Sequence, residues 1–163
     1  MAQPLLLSDR SLAILRSHLS WICRSRMHLI TEYLAVGDAE DAARPHWLMS
    51  AILNVASENR IPPSGVQNYN WIPFTEFAAL DPVHLDEAIS WLEAREKGSR
   101  LLVCCRAGMG RSVSVAIAYL CLVEHMPYHK AVNLVAARRP GAKPLPELED
   151  SIRFVRELRE KRR

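Results

Sequence analysis

Two short apolar runs constrain the fold of this chain more than any other feature. Ala51–Val55 and Leu101–Cys104 contain almost no polar side chains, and polar residues bound both runs. Strands that are buried on both faces consist of continuous apolar residues, and such strands are typical of parallel sheets. Helical patterns alternate with the runs. The sequence therefore predicts an α/β fold with a mainly parallel central sheet flanked by helices.

Turn and capping residues predict the remaining elements. Extended segments are expected at Met27–Val36 and Tyr69–Pro73, and a short helix within residues 39–50. Asp81-Pro82 is typical of a helix start, with Asp as the N-cap and Pro in the first turn. Further helices are predicted at residues 112–124, 128–138 and 146–161. Ligands of such folds collect at the carboxyl ends of the strands.

The length of 163 residues suits one main domain, which we place at residues 27–163. We expect residues 1–26 to form an extra N-terminal helix, because apolar side chains recur there at helical spacing after Ser8. The same segment is rich in Arg and Ser, as mitochondrial presequences are. A cytoplasmic location is expected, with a mitochondrial one as the alternative.

The cysteines and the charge distribution exclude several classes of protein. Four cysteines without CxxC or Cys/His zinc spacing predict a reducing compartment and no metal site. Residues 153–163 carry six basic and two acidic side chains, so the rest of the chain is nearly neutral. A basic body for nucleic acid is not indicated. The apolar run at residues 113–123 is shorter than the ~18–20 residues of a membrane span, so no stable membrane insertion is expected.

One glycine-bearing segment predicts the chemistry. It runs from Cys105 to Ser112, between the second apolar run and an apolar helix. Its glycines let the backbone N–H groups curl inward as an anion site at the helix N-terminus, and Arg111 adds a planar fork for phosphate oxygens. The same field favours a thiolate on Cys105, so we expect nucleophilic attack on phosphorus. Ser112 is placed to assist departure of the sulfur. The expected phosphate-binding residues are Arg106, Ala107, Gly108, Met109, Gly110 and Arg111.

The pattern Cys105-x5-Arg111-Ser112 resembles the His-Cys-x5-Arg-Ser/Thr signature of the cysteine-dependent protein tyrosine phosphatases. The surrounding segments resemble the dual-specificity branch of that superfamily, and the resemblance covers about residues 28–155. It implies a protein tyrosine phosphatase-like fold, a phosphocysteine intermediate and no metal or other cofactor. The segments that carry it are Ile30–Gly37, Leu53–Ala56, Trp71–Pro73, Ser114–Leu122 and Arg138–Pro140.

Three positions depart from the family pattern. Cys104 stands where the family has the histidine that organises the loop, which predicts slower chemistry at neutral pH. Glu76 occupies the place of the family's general-acid aspartate. Asp81 is the alternative acid, although it also suits a helix N-cap. No Asn or Gln follows Arg139-Pro140 to position the hydrolytic water, so the backbone or Glu76 would do so.

The expected substrate and partner is a phosphorylated protein, and the chain is expected to be a monomer. Met109 stands where a second cation would help to grip a phosphoinositide. The resemblance implies a shallow cleft that admits phosphoserine, phosphothreonine and phosphotyrosine. Two alternatives stay open. One is a pseudophosphatase that binds phosphorylated partners without turnover, suggested by Cys104 and the unsettled acid. The other is a phosphoinositide or RNA-phosphate phosphatase, suggested by Arg106 and the basic C-terminus.

Overall fold

The computed structural model of the chain describes residues 27–44, 48–58, 60, 68–95 and 98–162. The predicted helical extension at residues 1–26 lies outside these ranges. Within them, no helix is long and apolar enough to cross a membrane.

In the part of the chain that the structure describes, one five-stranded sheet forms the centre. Its strands lie in the order β1-β2-β5-β3-β4; β1 is antiparallel to β2, and the other neighbours are parallel. The predicted mainly parallel central sheet is therefore confirmed. The strands are β1 (His28–Leu29), β2 (Leu34–Gly37), β3 (Ala51–Ala56), β4 (Asn68–Phe74) and β5 (Leu101–Cys104).

Helices cover both faces of the sheet unequally. The larger apolar core joins one face to the last four helices, and α1 helps to cover the other face with Ala42. Alternate residues of β5 enter the two cores, because successive side chains of a strand point to opposite faces. The helices are α1 (Ala39–Ala43), α2 (Pro82–Glu93), α3 (Arg111–Leu122), α4 (Tyr128–Arg138) and α5 (Leu148–Lys161).

The extended segment predicted at Met27–Val36 is divided into a hairpin. The hydroxyl oxygen of Thr31 accepts the N–H of Leu34 at 3.0 Å, and the carbonyl of Leu34 accepts the N–H of Ile30 at 2.7 Å. A threonine hydroxyl competes with sheet partners for backbone donors in this way. The turn brings β1 back along β2 and places His28 at the edge of the sheet.

The carboxyl ends of three strands meet at one edge. Gly37 of β2 and Asn54 of β3 both pair with Cys104, the last residue of β5. The segments that follow these strands therefore leave the sheet side by side. That edge is where open α/β sheets bind ligands.

Asp81 begins α2 in the structure, as its sequence context predicts. Its carboxylate accepts the N–H of His84 at 2.9 Å, and Pro82 occupies the first turn. We expect Asp81→Ala to lower the free energy of unfolding by about 1 kcal/mol, because the cap is lost. Asp81→Asn is the matched control and should keep the stability, since Asn caps equally well. Urea unfolding of both variants measures the difference, and equal losses would contradict this role.

Candidate active site

The segment Cys105–Arg111, called the phosphate loop below, is shaped by hydrogen bonds to its carbonyl groups. Five successive carbonyl oxygens accept bonds from donors outside the loop. In a trans peptide the N–H lies opposite the C=O, so the N–H groups of residues 107–111 turn toward the loop interior. The bonds are Ala39 N to Arg106 O (3.3 Å), Arg139 Nη2 to Ala107 O (3.1 Å), Arg139 Nε to Gly108 O (2.9 Å), Lys143 N to Met109 O (2.8 Å) and Ser114 N to Gly110 O (2.8 Å).

The thiol of Cys105 lies at the floor of this loop. Its Sγ accepts the N–H of Gly108 at 3.2 Å and lies 3.2 Å from the Oγ of Ser112. Both side chains are buried. A cysteine sulfur at a helix N-terminus with an N–H aimed at it is placed to act as a nucleophile. The structure therefore brings Cys105 and Ser112 together as the sequence predicts.

Arg111 is fully buried and meets two carboxylates. Its Nη1 and Nη2 donate to Glu58 at 2.6 and 2.7 Å, and Nη2 also donates to Glu76 at 3.1 Å. Its Nε is a buried nitrogen without a hydrogen-bond partner among the described residues. An unpaired buried donor costs about 1–3 kcal/mol. An incoming phosphoryl oxygen would satisfy it.

Glu58 belongs to the site. The family resemblance implies substrate contacts in the segment after Leu53–Ala56, where Glu58 lies, but not a bond to Arg111. The bidentate bond to Arg111 holds the pKa of this carboxyl at about 2, against an ordinary value of 4.5. Glu58 follows β3, the strand next to β5, so its contact with Arg111 depends on a strand order that only the fold shows. A buried arginine needs such a counter-charge, because an unpaired buried charge is costly.

The two candidate acids lie in different settings. Glu76 follows β4 and bonds to Arg111, so the structure places its carboxylate beside the phosphate loop. Asp81 caps α2 with a side chain that is 56% exposed, and its Oδ1 lies 3.6 Å from the ring of His84. Glu76, Cys105, Arg111 and Ser112 are thus assembled at one edge of the sheet, whereas Asp81 bonds to residues of α2.

The remaining predicted phosphate-binding residues contribute backbone rather than side chains. Arg106 and Ala107 point their side chains outward and are exposed, and Met109 is partly exposed at 38%. Gly108 has a positive φ of 68°. A Cβ on it would lie 2.5 Å from Nη2 of Arg139 and 2.6 Å from the carbonyl oxygen of Gly37. Only glycine therefore fits this position.

Cys104 faces away from the site. It lies at the end of β5, in the core layer that includes Ala35, Ile52 and Leu102, and its Sγ is 3.6 Å from the carbonyl of Leu53. Burial raises the pKa of its thiol well above the ordinary value. A thiol in that setting packs as a small apolar group.

Two further residues of the site were missed in the sequence. Ser114 accepts the N–H of Leu145 at 2.8 Å and donates to the carbonyl of Gly110, so it ties the loop to the segment after α4. Arg139 binds two loop carbonyls. The family resemblance includes both positions, but nothing local to them indicates contact with residues about thirty positions away.

The described ranges hold no group of three His, Cys, Asp or Glu side chains that could bind a metal ion.

The chain was compared with known sequences. Residues 38–163 match the catalytic domain of the dual specificity phosphatases. Human dual specificity protein phosphatase 5 is 31% identical over 121 residues, which cover 71% of this chain and 32% of that protein. Drosophila melanogaster dual specificity protein phosphatase Mpk3 is 32% identical over 126 residues, covering 72% of this chain and 31% of that protein. The chain thus spans about a third of the length of these relatives.

Solved structures share the fold at lower identity. Human DUSP28 superimposes with a TM-score of 0.69 and 23% identity, covering 83% of this chain and 95% of that one. A mouse putative dual specificity phosphatase complexed with zinc tungstate superimposes with a TM-score of 0.72 and 22% identity, covering 98% of this chain and 96% of that one. PTPMT1 in complex with PI(5)P superimposes with a TM-score of 0.68 and 16% identity, covering 84% of this chain and 99% of that one. At these identities the similarity establishes the fold alone.

Gly108→Ala should disrupt the phosphate loop, because the new methyl group clashes with Arg139 and with backbone. We expect a larger loss of stability than the ~1–2 kcal/mol of a left-handed alanine, and weaker binding of inorganic phosphate. Gly98→Ala is the matched control: its φ is also positive at 88°, but no atom lies within 4 Å of the added Cβ. Urea unfolding and calorimetry with phosphate measure both effects. Equal behaviour of the two variants would contradict the close approach.

The ion pair of Glu58 with Arg111 predicts a pH dependence of stability. The folded-state pKa of about 2 lies below the ordinary 4.5, so this contribution is complete above pH 4.5 and is lost as the pH falls through 2. The stability difference between the parent and Glu58→Gln should therefore shrink over that range. Urea unfolding at several pH values measures it, with Glu87→Gln on the exposed face of α2 as the control. A difference independent of pH would refute the assignment.

Proposed function

Because this chain belongs to the dual specificity phosphatases, we propose that it hydrolyses phosphate monoesters through a covalent phosphocysteine at Cys105. The observation that carries the proposal is the position of the Cys105 sulfur. It receives an N–H of the phosphate loop on one side and lies beside the Ser112 hydroxyl on the other. An activated nucleophile inside an anion site is what transfer of a phosphoryl group requires.

In the first step the Cys105 thiolate attacks phosphorus. The S–P bond forms, and the bond from phosphorus to the ester oxygen breaks. The inward N–H groups of residues 107–111 and the unpaired Nε of Arg111 bind the phosphoryl oxygens. Donors that are already oriented toward these oxygens lower the barrier, because nothing has to reorganise as the charge shifts.

Glu76 is the general acid in this proposal. In the structure its carboxylate accepts a hydrogen bond from Nη2 of Arg111. A phosphate dianion that takes Nη2 frees the Glu76 carboxyl group from Arg111, so that it can turn to the leaving oxygen. The protonated acid then gives its proton to the leaving oxygen. Asp81 is the less favoured candidate, since its carboxylate is engaged at the start of α2.

The second step returns the enzyme to its initial state. A water molecule attacks phosphorus, the S–P bond breaks and inorganic phosphate leaves. Glu76, now ionised, accepts the proton of the attacking water. Ser112 donates a hydrogen bond from its hydroxyl to the departing sulfur, which lies 3.2 Å from the hydroxyl oxygen.

We further propose that the substrates are phosphorylated proteins, with phosphotyrosine as well as phosphoserine and phosphothreonine accepted. The named relatives are dual specificity protein phosphatases, and Met109 puts an apolar group at the rim of the loop. The exposed Arg106 is the one loop cation that favours a phosphoinositide or RNA phosphate instead. The cytoplasmic location and the monomeric state stay predictions from the sequence.

One set of variants tests the mechanism. Cys105→Ser should abolish hydrolysis of an aryl phosphate while still binding inorganic phosphate. Glu76→Gln should lower kcat by roughly 10²–10⁴-fold with an alkyl phosphate, whose leaving group needs a proton, and much less with nitrophenyl phosphate. Asp81→Asn should change neither rate by more than a few-fold.

The same proteins test the substrate class. Phosphotyrosine and phosphothreonine peptides should be hydrolysed with higher kcat/KM than phosphoinositides in detergent micelles or an RNA 5′-phosphate. If the protein binds phosphate but shows no hydrolysis that is lost in Cys105→Ser, it is a pseudophosphatase and the proposed enzyme activity is wrong. A reversed order of the Glu76 and Asp81 effects would reassign the acid.

A further inference from the structure

The side chain of Arg139 packs against the outer side of the phosphate loop. It is 5% exposed, and its three guanidinium nitrogens all have partners. Nε donates to the carbonyl of Gly108 at 2.9 Å, and Nη2 donates to the carbonyl of Ala107 at 3.1 Å. Nη1 lies 2.6 Å from Nδ1 of His28. A guanidinium can only donate, so the histidine accepts this bond through Nδ1.

One of these contacts connects Arg139 to the nucleophile through a single peptide unit. Ala107 and Gly108 share that unit, and its carbonyl oxygen is the one bound by Nη2. The N–H on its opposite side is the one that donates to Cys105 Sγ at 3.2 Å. Since the unit is planar and trans, the orientation of its carbonyl sets the orientation of its N–H.

The second contact acts on the next peptide unit in the same manner. Nε of Arg139 holds the carbonyl of Gly108, so the N–H of Met109 turns toward the phosphoryl site. The planar guanidinium thus orients two consecutive peptide units at once. A lysine could not reproduce this, because an ammonium on a flexible stem lacks the fixed fork.

His28 anchors the guanidinium from the other side. It lies in β1, at the edge of the sheet, where the hairpin turn returns the chain along β2. A long side chain held at one end alone keeps much of its rotamer freedom, and a third contact reduces that freedom. The contact joins the phosphate loop to the first strand of the sheet.

The position before the nucleophile cannot supply this support here. Cys104 points into the apolar layer on the other face of the sheet and makes its recorded contact with Leu53. The support for the inward N–H groups must therefore come from outside β5, and Arg139 provides two of the five carbonyl anchors.

We propose that Arg139, held by His28, is a positioning residue that orients the N–H groups of Gly108 and Met109 toward the Cys105 sulfur and the phosphoryl group. It touches neither the nucleophile nor the phosphate. The consequence of Arg139 for turnover rests on the proposed function, whereas its effect on the reactivity of the Cys105 sulfur does not.

Alkylation of Cys105 by iodoacetate tests the proposal without any turnover. The rate is measured against pH in a Cys23→Ser background, with Cys105→Ser as the blank. For Arg139→Met we expect the pH profile to move to higher pH, and the rate near pH 6 to fall on the order of tenfold. Arg139→Lys should give most of the same shift, because it keeps the charge and loses the fork.

The variants at position 28 complete the test. His28→Leu should shift the profile in the same direction by a smaller amount. His28→Gln should restore it, since the amide oxygen can accept from Nη1. The control for general destabilisation is Arg159→Met, which removes an arginine that pairs with Asp86 and Glu93 between α5 and α2. It should lower the thermal midpoint without moving the alkylation profile.

Two results would overturn the proposal. If Arg139→Lys retains the parent profile, charge alone supports the thiolate and the fork is not needed. If Arg159→Met shifts the profile as far as Arg139→Met does, the effect is general destabilisation. Should Arg139→Met fail to fold, the Lys and His28 variants carry the test. A parent protein without phosphatase activity would refute the proposed function and leave these alkylation outcomes intact.

Discussion

The rest of the site depends on the outward hydrogen bonding of five successive carbonyls in the phosphate loop. A loop with its N–H groups turned inward has its carbonyls turned outward, and buried carbonyls need donors. The donors come from four separate places: α1, α3, Arg139 after α4, and the backbone of Lys143. The anion site thus depends on the whole edge of the sheet. The residues of the phosphate loop alone would not keep the loop in this conformation.

The fold could be predicted from local patterns because its strongest signals are local. The fully buried strands β3 and β5 consist almost entirely of apolar residues, and α2 has its N-cap and Pro at the predicted positions. The hairpin at β1 and β2 could not be predicted in the same way. Its turn depends on one threonine hydroxyl, which in the sequence is indistinguishable from any other residue of an extended segment.

The candidate site was predictable as far as its residues are neighbours in sequence. Cys105, Arg111 and Ser112 belong to one loop, and their spacing indicates their chemistry. Glu58 and Arg139 enter from 53 and 31 positions away and meet the loop through strand order and through the return of the chain after α4. Such contacts require a known topology, and the sequence alone supplied a class of fold without strand register.

The opposed directions of the two adjacent cysteines limit the side chains that position 104 can accept. Cys104 occupies a layer with the small residues Ala35 and Ala42, so a histidine there would have to fit an imidazole among side chains packed for a thiol. Overpacking of this kind costs about 1–3 kcal/mol. A histidine at position 104 would therefore be tolerated only together with smaller side chains at neighbouring positions of this layer.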